Sequence, residues 1–277
     1  MEINPQDVWA DFQAIKINSP LIHNITNYVV MEHTANCLLA IGASPVMAHA
    51  SEEVEEMTGL ASSLVLNIGT LSPHWVQSMQ LALKAAHTKG IPVVFDPVGV
   101  GATSYRAQSA HSILNHSPVS AIRGNASEVV SLHAIQACDE RVEATAESKG
   151  VDSLLDSSHH TESAKNLAIK RKCIVWMSGK TDIITDGRMI YLIDNGDPLM
   201  CKVTGMGCAA TAITGAFLAI NPDFLKSCVH AAIVFGIAGE IAAEENYGPG
   251  SFKLAFIDAL HSLSFDHIQK RMCVRAL

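Results

Sequence analysis

The chain has 277 residues, 48% of them hydrophobic and only 17% charged, with a formal net charge of −8 at neutral pH. That length suffices for one large core, and no basic run exceeds Lys170-Arg171-Lys172, which excludes the counterion-release footprint of a nucleic-acid binder. Seven cysteines with no Cys-x-x-Cys pair exclude a disulfide framework and a zinc-ribbon pattern, and point to reduced thiols in a cytoplasmic protein.

The sparse polar surface implies burial between subunits. No membrane partner is expected. The first residues lack the apolar core of a signal peptide, Met206 to Ile220 is too short to span a bilayer, and His230 and Glu240 interrupt Cys228 to Ala243. Thirteen histidines include no His-Glu-x-x-His frame, and the His159-His160 pair falls in a polar loop.

In chain order, Val8, Trp9, Phe12 and Ile15 predict an amphipathic helix over 7–17, ended by Ser19-Pro20. A strand over 21–27 leaves into an Asn/Thr turn, and a helix over 28–41 stops at Gly42. A short strand over 44–48 precedes a helix capped by Ser51, whose Glu52, Glu53, Glu55 and Glu56 suit a solvated first turn. A strand over 63–69, a helix over 73–89 closed by Gly90, and a buried strand over 92–99 containing Asp96 follow. The run from Val119 to Asn125 predicts a strand feeding a helix over 126–137. Residues 138–160 read as the longest loop or insertion. Beyond them come a helix over 161–172, a strand over 173–177 ending at Ser178-Gly179, and hairpin strands over 182–186, 189–194 and 199–203.

Alternating strands and helices predict an α/β fold with a mainly parallel central sheet, helices on both faces and no separate lid, as a single domain over 1–277. Ligands of such sheets bind outside the carboxyl ends of the strands, where Asn27, Asp96, Arg123, Asn125, Glu128 and Ser178 fall.

The most informative stretch is Lys202-Val203-Thr204-Gly205-Met206-Gly207-Cys208, followed by a small, apolar segment that reads as a buried helix. Two glycines before a helix make either a tight turn or an anion hole, in which backbone and unpaired first-turn amides meet a phosphate. Cys208 sits in the first turn, where the helix dipole is expected to lower a thiol's pKa; a small core residue is the plainer reading. Asp96 with Glu128 suits a hard cation such as Mg²⁺, although Asn125 and Glu128 also have capping-box spacing. Arg123 adds a planar fork for phosphate. Together these describe a phosphoryl-transfer site without the P-loop pattern.

The segments Gly42-Ala43-Ser44-Pro45-Val46-Met47, Leu66-Asn67-Ile68-Gly69-Thr70-Leu71, Asp96-Pro97-Val98-Gly99, Ile122-Arg123-Gly124-Asn125-Ala126-Ser127-Glu128, Val203-Thr204-Gly205-Met206-Gly207-Cys208 and Gly248-Pro249-Gly250-Ser251-Phe252 resemble the hydroxyethylthiazole kinases, a ribokinase-like family of thiamine synthesis and salvage. The resemblance runs from about residue 19 to 260. It implies ATP- and Mg²⁺-dependent phosphorylation of the hydroxyl of 4-methyl-5-(2-hydroxyethyl)thiazole by a homotrimer with interface sites near the 24–27 turn. It also implies that Met47 and Gly205 contact the thiazole, Arg123 and Ser178 the nucleotide, and Asp96 and Glu128 the magnesium and phosphates. Cys208 stands where most ribokinase-like kinases carry an aspartate base, and its role is implied to be catalytic. Three positions depart from the family pattern: Ser178 replaces a common Thr, Lys180 a frequent Glu, and Met206 a smaller residue. The rivals are a kinase for another small alcohol and a ribokinase-like hydro-lyase acting on hydrated nicotinamide nucleotides. The apolar Met47 segment favours a flat ring over a sugar.

Overall fold

The period-2 alternation of the central strands sorts their side chains onto two faces. Ile22, Val65, Val94, Ala121 and Trp176 join one core cluster, while Leu64, Leu66, Val93, Phe95, Ile122 and Val175 join the other. The computed structural model describes residues 3–137, 157–244 and 248–277. In it one sheet contains β1 (Leu21–Ile25), β2 (Ser44–Val46), β3 (Ser63–Asn67), β4 (Val93–Asp96), β5 (Ala121–Asn125), β6 (Ile174–Ser178), β7 (Asp182–Thr185), β8 (Ile190–Ile193) and β9 (Val274–Ala276). The order is β2-β1-β3-β4-β5-β6-β7-β8-β9. The strands from β2 to β6 in that order pair in parallel, and β7, β8 and β9 extend the sheet antiparallel.

Helices cover both faces, as the α/β reading requires. The Ile22–Val65–Val94 side packs against α1 (Pro5–Asn18), α2 (Met31–Ala40), α8 (Met206–Leu218), α9 (Phe224–Glu244), α10 (Pro249–Ser262) and α11 (Phe265–Arg271). The Leu64–Phe95 side packs against α3 (Val54–Leu60), α4 (Pro73–Lys89), α5 (Ser104–His116), α6 (Ala126–Ala137) and α7 (Ser157–Arg171). Strand order reverses at β1, since the chain steps outward to β2 and then returns to place β3 on β1's other side. In open sheets such a switch point is where ligands bind, here outside the carboxyl ends of β1 and β3.

Several local expectations change. Residues 199–203 are not a strand: Pro198–Lys202 form a 3₁₀ turn, because Asp197 accepts the Leu199 amide at 2.8 Å and Pro198 suits a helical first position. Ser51 does not cap α3, since its hydroxyl donates to Glu52 and the helix begins at Val54. The segment 104–116, unassigned by pattern, is α5, with Thr103 as its cap. His159 and His160 lie in α7, which starts at Ser157, and not in a loop. Of the 138–160 insertion, residues 138–156 fall outside the described residues. α9 has the length and hydropathy of a bilayer span, yet 78% of its most apolar window is buried inside the fold.

α8 lies close on the sheet because Gly215 offers no side chain. A Cβ there would stand 2.8 Å from Val65 Cγ2 and 3.2 Å from Ser63 Oγ. Gly59 in α3 has open space around the same position. Gly215→Ala is therefore expected to lower stability by about 1–3 kcal/mol through overpacking. Gly59→Ala is expected to raise it by roughly 0.5 kcal/mol through the unfolded-state entropy. Urea denaturation of the two variants beside the parent chain checks both signs.

Candidate active site

The rim residues are the continuation of the inward-facing apolar positions. Two residues beyond Val65 comes Asn67, two beyond Val94 comes Asp96, and two beyond Ala121 comes Arg123, so each points to the α8 face at the carboxyl end of its strand. Parallel register sets Asn67 opposite Asp96 and Asn125 opposite Ser178. Met47 follows the last residue of edge strand β2. Its loop is tied to β1 through buried His23, whose Nε2 lies 2.7 Å from the Ala48 carbonyl.

A chain of hydrogen bonds joins three strand ends to α8. Asn27 Nδ2 donates to Asn67 Oδ1 at 2.9 Å and to Cys208 Sγ at 3.4 Å. Asn67 Nδ2 donates to Asp96 Oδ2 at 2.9 Å, and Thr211 Oγ1 donates to the same oxygen at 2.7 Å. Both bonds land on Oδ2 and leave Oδ1 to other partners. Asp96 is 2% exposed, and burial pushes its carboxyl from 3.8 up to about 7, with Glu128 adding to the rise while Arg123 and the two donors oppose it.

The glycines around α8 have separate reasons. Gly205 adopts φ +91° at the helix cap, and a Cβ would lie 2.9 Å from Val30 Cγ1, so strain and contact both demand glycine. At Gly207 a Cβ would stand 2.7 Å from Arg123 Nη1. The guanidinium thus rests on the first turn of α8. It also lies over Trp176, 5.4 Å from the ring centroid, and its buried Nε has no hydrogen-bond partner. Trp176 in turn donates to Asp182 at 3.0 Å, which fixes the ring under the cation.

Glu128 and Asn125 form the reciprocal cap anticipated from their spacing. The Glu128 amide donates to Asn125 Oδ1 at 2.9 Å, while Glu128 Oε2 accepts from the Asn125 amide and Oε1 from the Gly99 amide, each at 2.8 Å. Glu128 therefore links the loop after β4 to the start of α6. Ser178 Oγ points back along the rim to the Gly124 carbonyl at 3.4 Å.

One electrostatic expectation fails. The Cys208 thiol is not lowered by its place in the first turn of α8: burial, reinforced by Asp96, pushes it up to about 11 despite donors from Asn67 and Asn27 and the nearby Arg123. Desolvation of the thiolate outweighs the dipole. The thiol is protonated at neutral pH. Sequence pattern also misses Arg106, whose guanidinium spans three carbonyls at the rim. An Arg three residues after a Thr cap carries no periodic signal, and only its neighbourhood in space reveals it. Among the described residues no group of three or more His, Cys, Asp or Glu is arranged as a metal cage.

The Asp96 carboxyl makes a test of linkage. Its folded-state value lies above the unfolded one, so burial costs nothing below about pH 4 and progressively more as pH rises to 7. Asp96→Asn is expected to be more stable than the parent near pH 8, by roughly 2–4 kcal/mol, with the difference closing toward pH 4. Denaturant titrations across that range check the slope.

Known proteins resemble this chain in sequence and fold. The model of the hydroxyethylthiazole kinase family matches residues 12–266. The hydroxyethylthiazole kinase of Syntrophus aciditrophicus is 49% identical over 276 residues, covering 100% of this chain and 99% of that protein. The solved hydroxyethylthiazole kinase of Pyrococcus horikoshii superposes with a TM-score of 0.89 at 38% identity, over 98% of this chain and 99% of that one. The pyridoxal kinase of Staphylococcus aureus shares the ribokinase-like fold alone, with a TM-score of 0.63 at 14% identity over 93% of this chain and 97% of that one. With its parallel sheet, the glycine-flanked start of α8 at the rim and a match over nearly its whole length, the chain belongs to the hydroxyethylthiazole kinase family and is a phosphotransferase.

Proposed function

We propose that this chain, as a single domain, transfers the γ-phosphoryl group of ATP to the hydroxyl of 4-methyl-5-(2-hydroxyethyl)thiazole at the crevice where Asn27, Asn67, Asp96 and Cys208 meet the start of α8. The observation that carries this reading is the hydrogen-bonded series from Cys208 through Asn27 and Asn67 to Asp96, which joins the proposed acceptor position to a buried carboxyl near the first turn of α8. Phosphoryl transfer asks for this combination, since its loose transition state is served by positioning and charge stabilisation more than by covalent chemistry.

Each side chain has a task in this reading. Met47 and Gly205 wall the thiazole pocket, and the Val30 methyl beside Gly205 adds an apolar edge. The α8 amides with Arg123 receive the transferring phosphate, and Ser178 contacts the nucleotide. Asp96 and Glu128 fit Mg²⁺: both are hard oxygen donors, Asp96 presents Oδ1, and a two-carboxylate set suits an ion that draws its other ligands from water and phosphate. These two carboxyls would hold the ion, which would supply positive charge against the phosphates, and Asp96 would then be ionised. Cys208, protonated and accepting from Asn27, orients the hydroxyl without removing its proton; in a loose transfer that proton passes late to an oxygen of the transferred phosphoryl group and from there to solvent.

Two exposed side chains next to Asn27, Tyr28 at 64% and Val29 at 66%, support a homotrimer whose interface borders the site. The cytoplasm is its proposed compartment.

The decisive assay is ADP release with Mg²⁺ and ATP in the presence of hydroxyethylthiazole, hydroxymethylpyrimidine or ribose, with mass spectrometry of the products. The expected result is a phosphorylated thiazole alone; its absence despite nucleotide binding rejects the reading. Cys208→Ala is expected to lower kcat by about tenfold, short of the 10²–10⁴-fold loss of a true general base. Cys208→Asp is expected to retain or exceed the parent rate. Gly207→Ala, which displaces Arg123, is expected to raise the nucleotide Kd about tenfold with little change in thermal stability, as calorimetric titration checks.

A further inference from the structure

Arg106, on α5, spends its donors on backbone carbonyls. Nη1 donates to Ile68 O at 2.6 Å and to Val98 O at 2.7 Å, and Nη2 donates to Gly69 O at 2.8 Å. The two loops joined in this way leave the sheet directly after Asn67 and Asp96. A planar cation with fixed donor directions holds carbonyls more rigidly than a flexible ammonium or a neutral amide, because its hydrogen bonds are charge-assisted and share one geometry.

Gly69 is the consequential partner. A Cβ on it would stand 2.5 Å from Asn27 Nδ2 and 2.8 Å from Asn27 Cβ, so its backbone lies flat against the Asn27 side chain. Its amide donates to Asn67 Oδ1 at 2.9 Å, the oxygen that also accepts from Asn27. Gly69 is therefore a wall that fixes both the place and the rotation of the Asn27 carboxamide, whose Nδ2 donates to Cys208 Sγ. The positive φ seen at Gly205 plays no part here. Close approach alone requires glycine at 69, and the approach is maintained from behind by Arg106.

We infer that Arg106 is a positioning residue for the acceptor half of the site: by clamping the Gly69 carbonyl it holds the Gly69 backbone against Asn27, which keeps the Asn27 amide aimed at Cys208, where the acceptor hydroxyl docks. Arg106 itself stands one layer behind the reacting groups. The inference rests on the assignment of Cys208 and Asn27 to the acceptor, and its test separates the two.

The test is a double-variant cycle on steady-state phosphorylation of the thiazole, using Arg106→Met, Arg106→Lys, Asn27→Ala and the combined Arg106→Met/Asn27→Ala chain. Nucleotide affinity is measured separately without alcohol. Arg106→Met is expected to lower kcat tenfold or more while nucleotide affinity changes less than threefold, and Arg106→Lys is expected to recover part of the rate. The combined chain is expected to be no slower than Asn27→Ala, because both act through one carboxamide. Losses that multiply in the combined chain, or a rate that falls only with the folded fraction, overturn the role of Arg106. If Arg106→Met does not fold, the same cycle with Arg106→Lys decides. Full turnover in Asn27→Ala overturns the acceptor assignment itself and not merely the clamp.

Discussion

A single carboxylate oxygen, Asp96 Oδ2, holds the site together. It receives Asn67 from the neighbouring strand and Thr211 from α8, and it does so out of water. Remove that acceptor and the buried Asn67 amide loses this partner, a loss of about 1–3 kcal/mol for a group left unsatisfied, while the Thr211 hydroxyl turns back to the Gly207 carbonyl of its own helix, 3.1 Å away. The bond from Thr211 ties the first turns of α8 to the carboxyl end of β4. From this contact follow the place of Gly207 under Arg123 and the reach of Cys208 to Asn27.

The same burial sets the electrostatics. A carboxyl withdrawn from water resists ionisation, and its charge in turn discourages a thiolate at Cys208. The site's own side chains therefore favour a largely protonated carboxyl below pH 7 and a neutral thiol, with Arg123 and the α8 amides as the positive features. Such a site is poorly adapted to hold a free negative charge on its own side chains. In the proposed reading it would receive charge from outside, as triphosphate and a divalent cation, and catalysis would rest on preorganised dipoles and not on a strong base. The stability given up by burying Asp96 is what a carboxylate kept for a functional role would cost.

Much of this is legible in the order of the residues alone. The parallel sheet follows from near-continuous apolar strands alternating with helices, and α4 and α6 have the bounds expected of them because Ser72-Pro73, Gly90 and Asn125 punctuate the chain. The rim is legible because polar residues interrupt period-2 apolar patterns at strand ends, as at Asp96 and Arg123. What escapes is set by contacts that outrank the local pattern. Leu199 to Val203 has strand-forming residues, yet an Asp-Pro cap overrides them. The thiol of Cys208 has a first-turn address that favours a thiolate, yet its burial beside Asp96 decides otherwise. Arg106 and Gly69 act across 37 residues of chain, and no spacing rule announces such a pair.

If Asp96 holds Mg²⁺ as proposed, its buried carboxyl would give up its proton on binding Mg²⁺ and nucleotide. Calorimetric titration of the protein with ADP at saturating Mg²⁺, near pH 6.5 and in buffers of different ionisation enthalpy, measures that proton directly. The mechanism predicts net proton release on binding, a substantial fraction of one proton per site, which disappears in Asp96→Asn. Binding without proton release, or release that persists undiminished in Asp96→Asn, would contradict it.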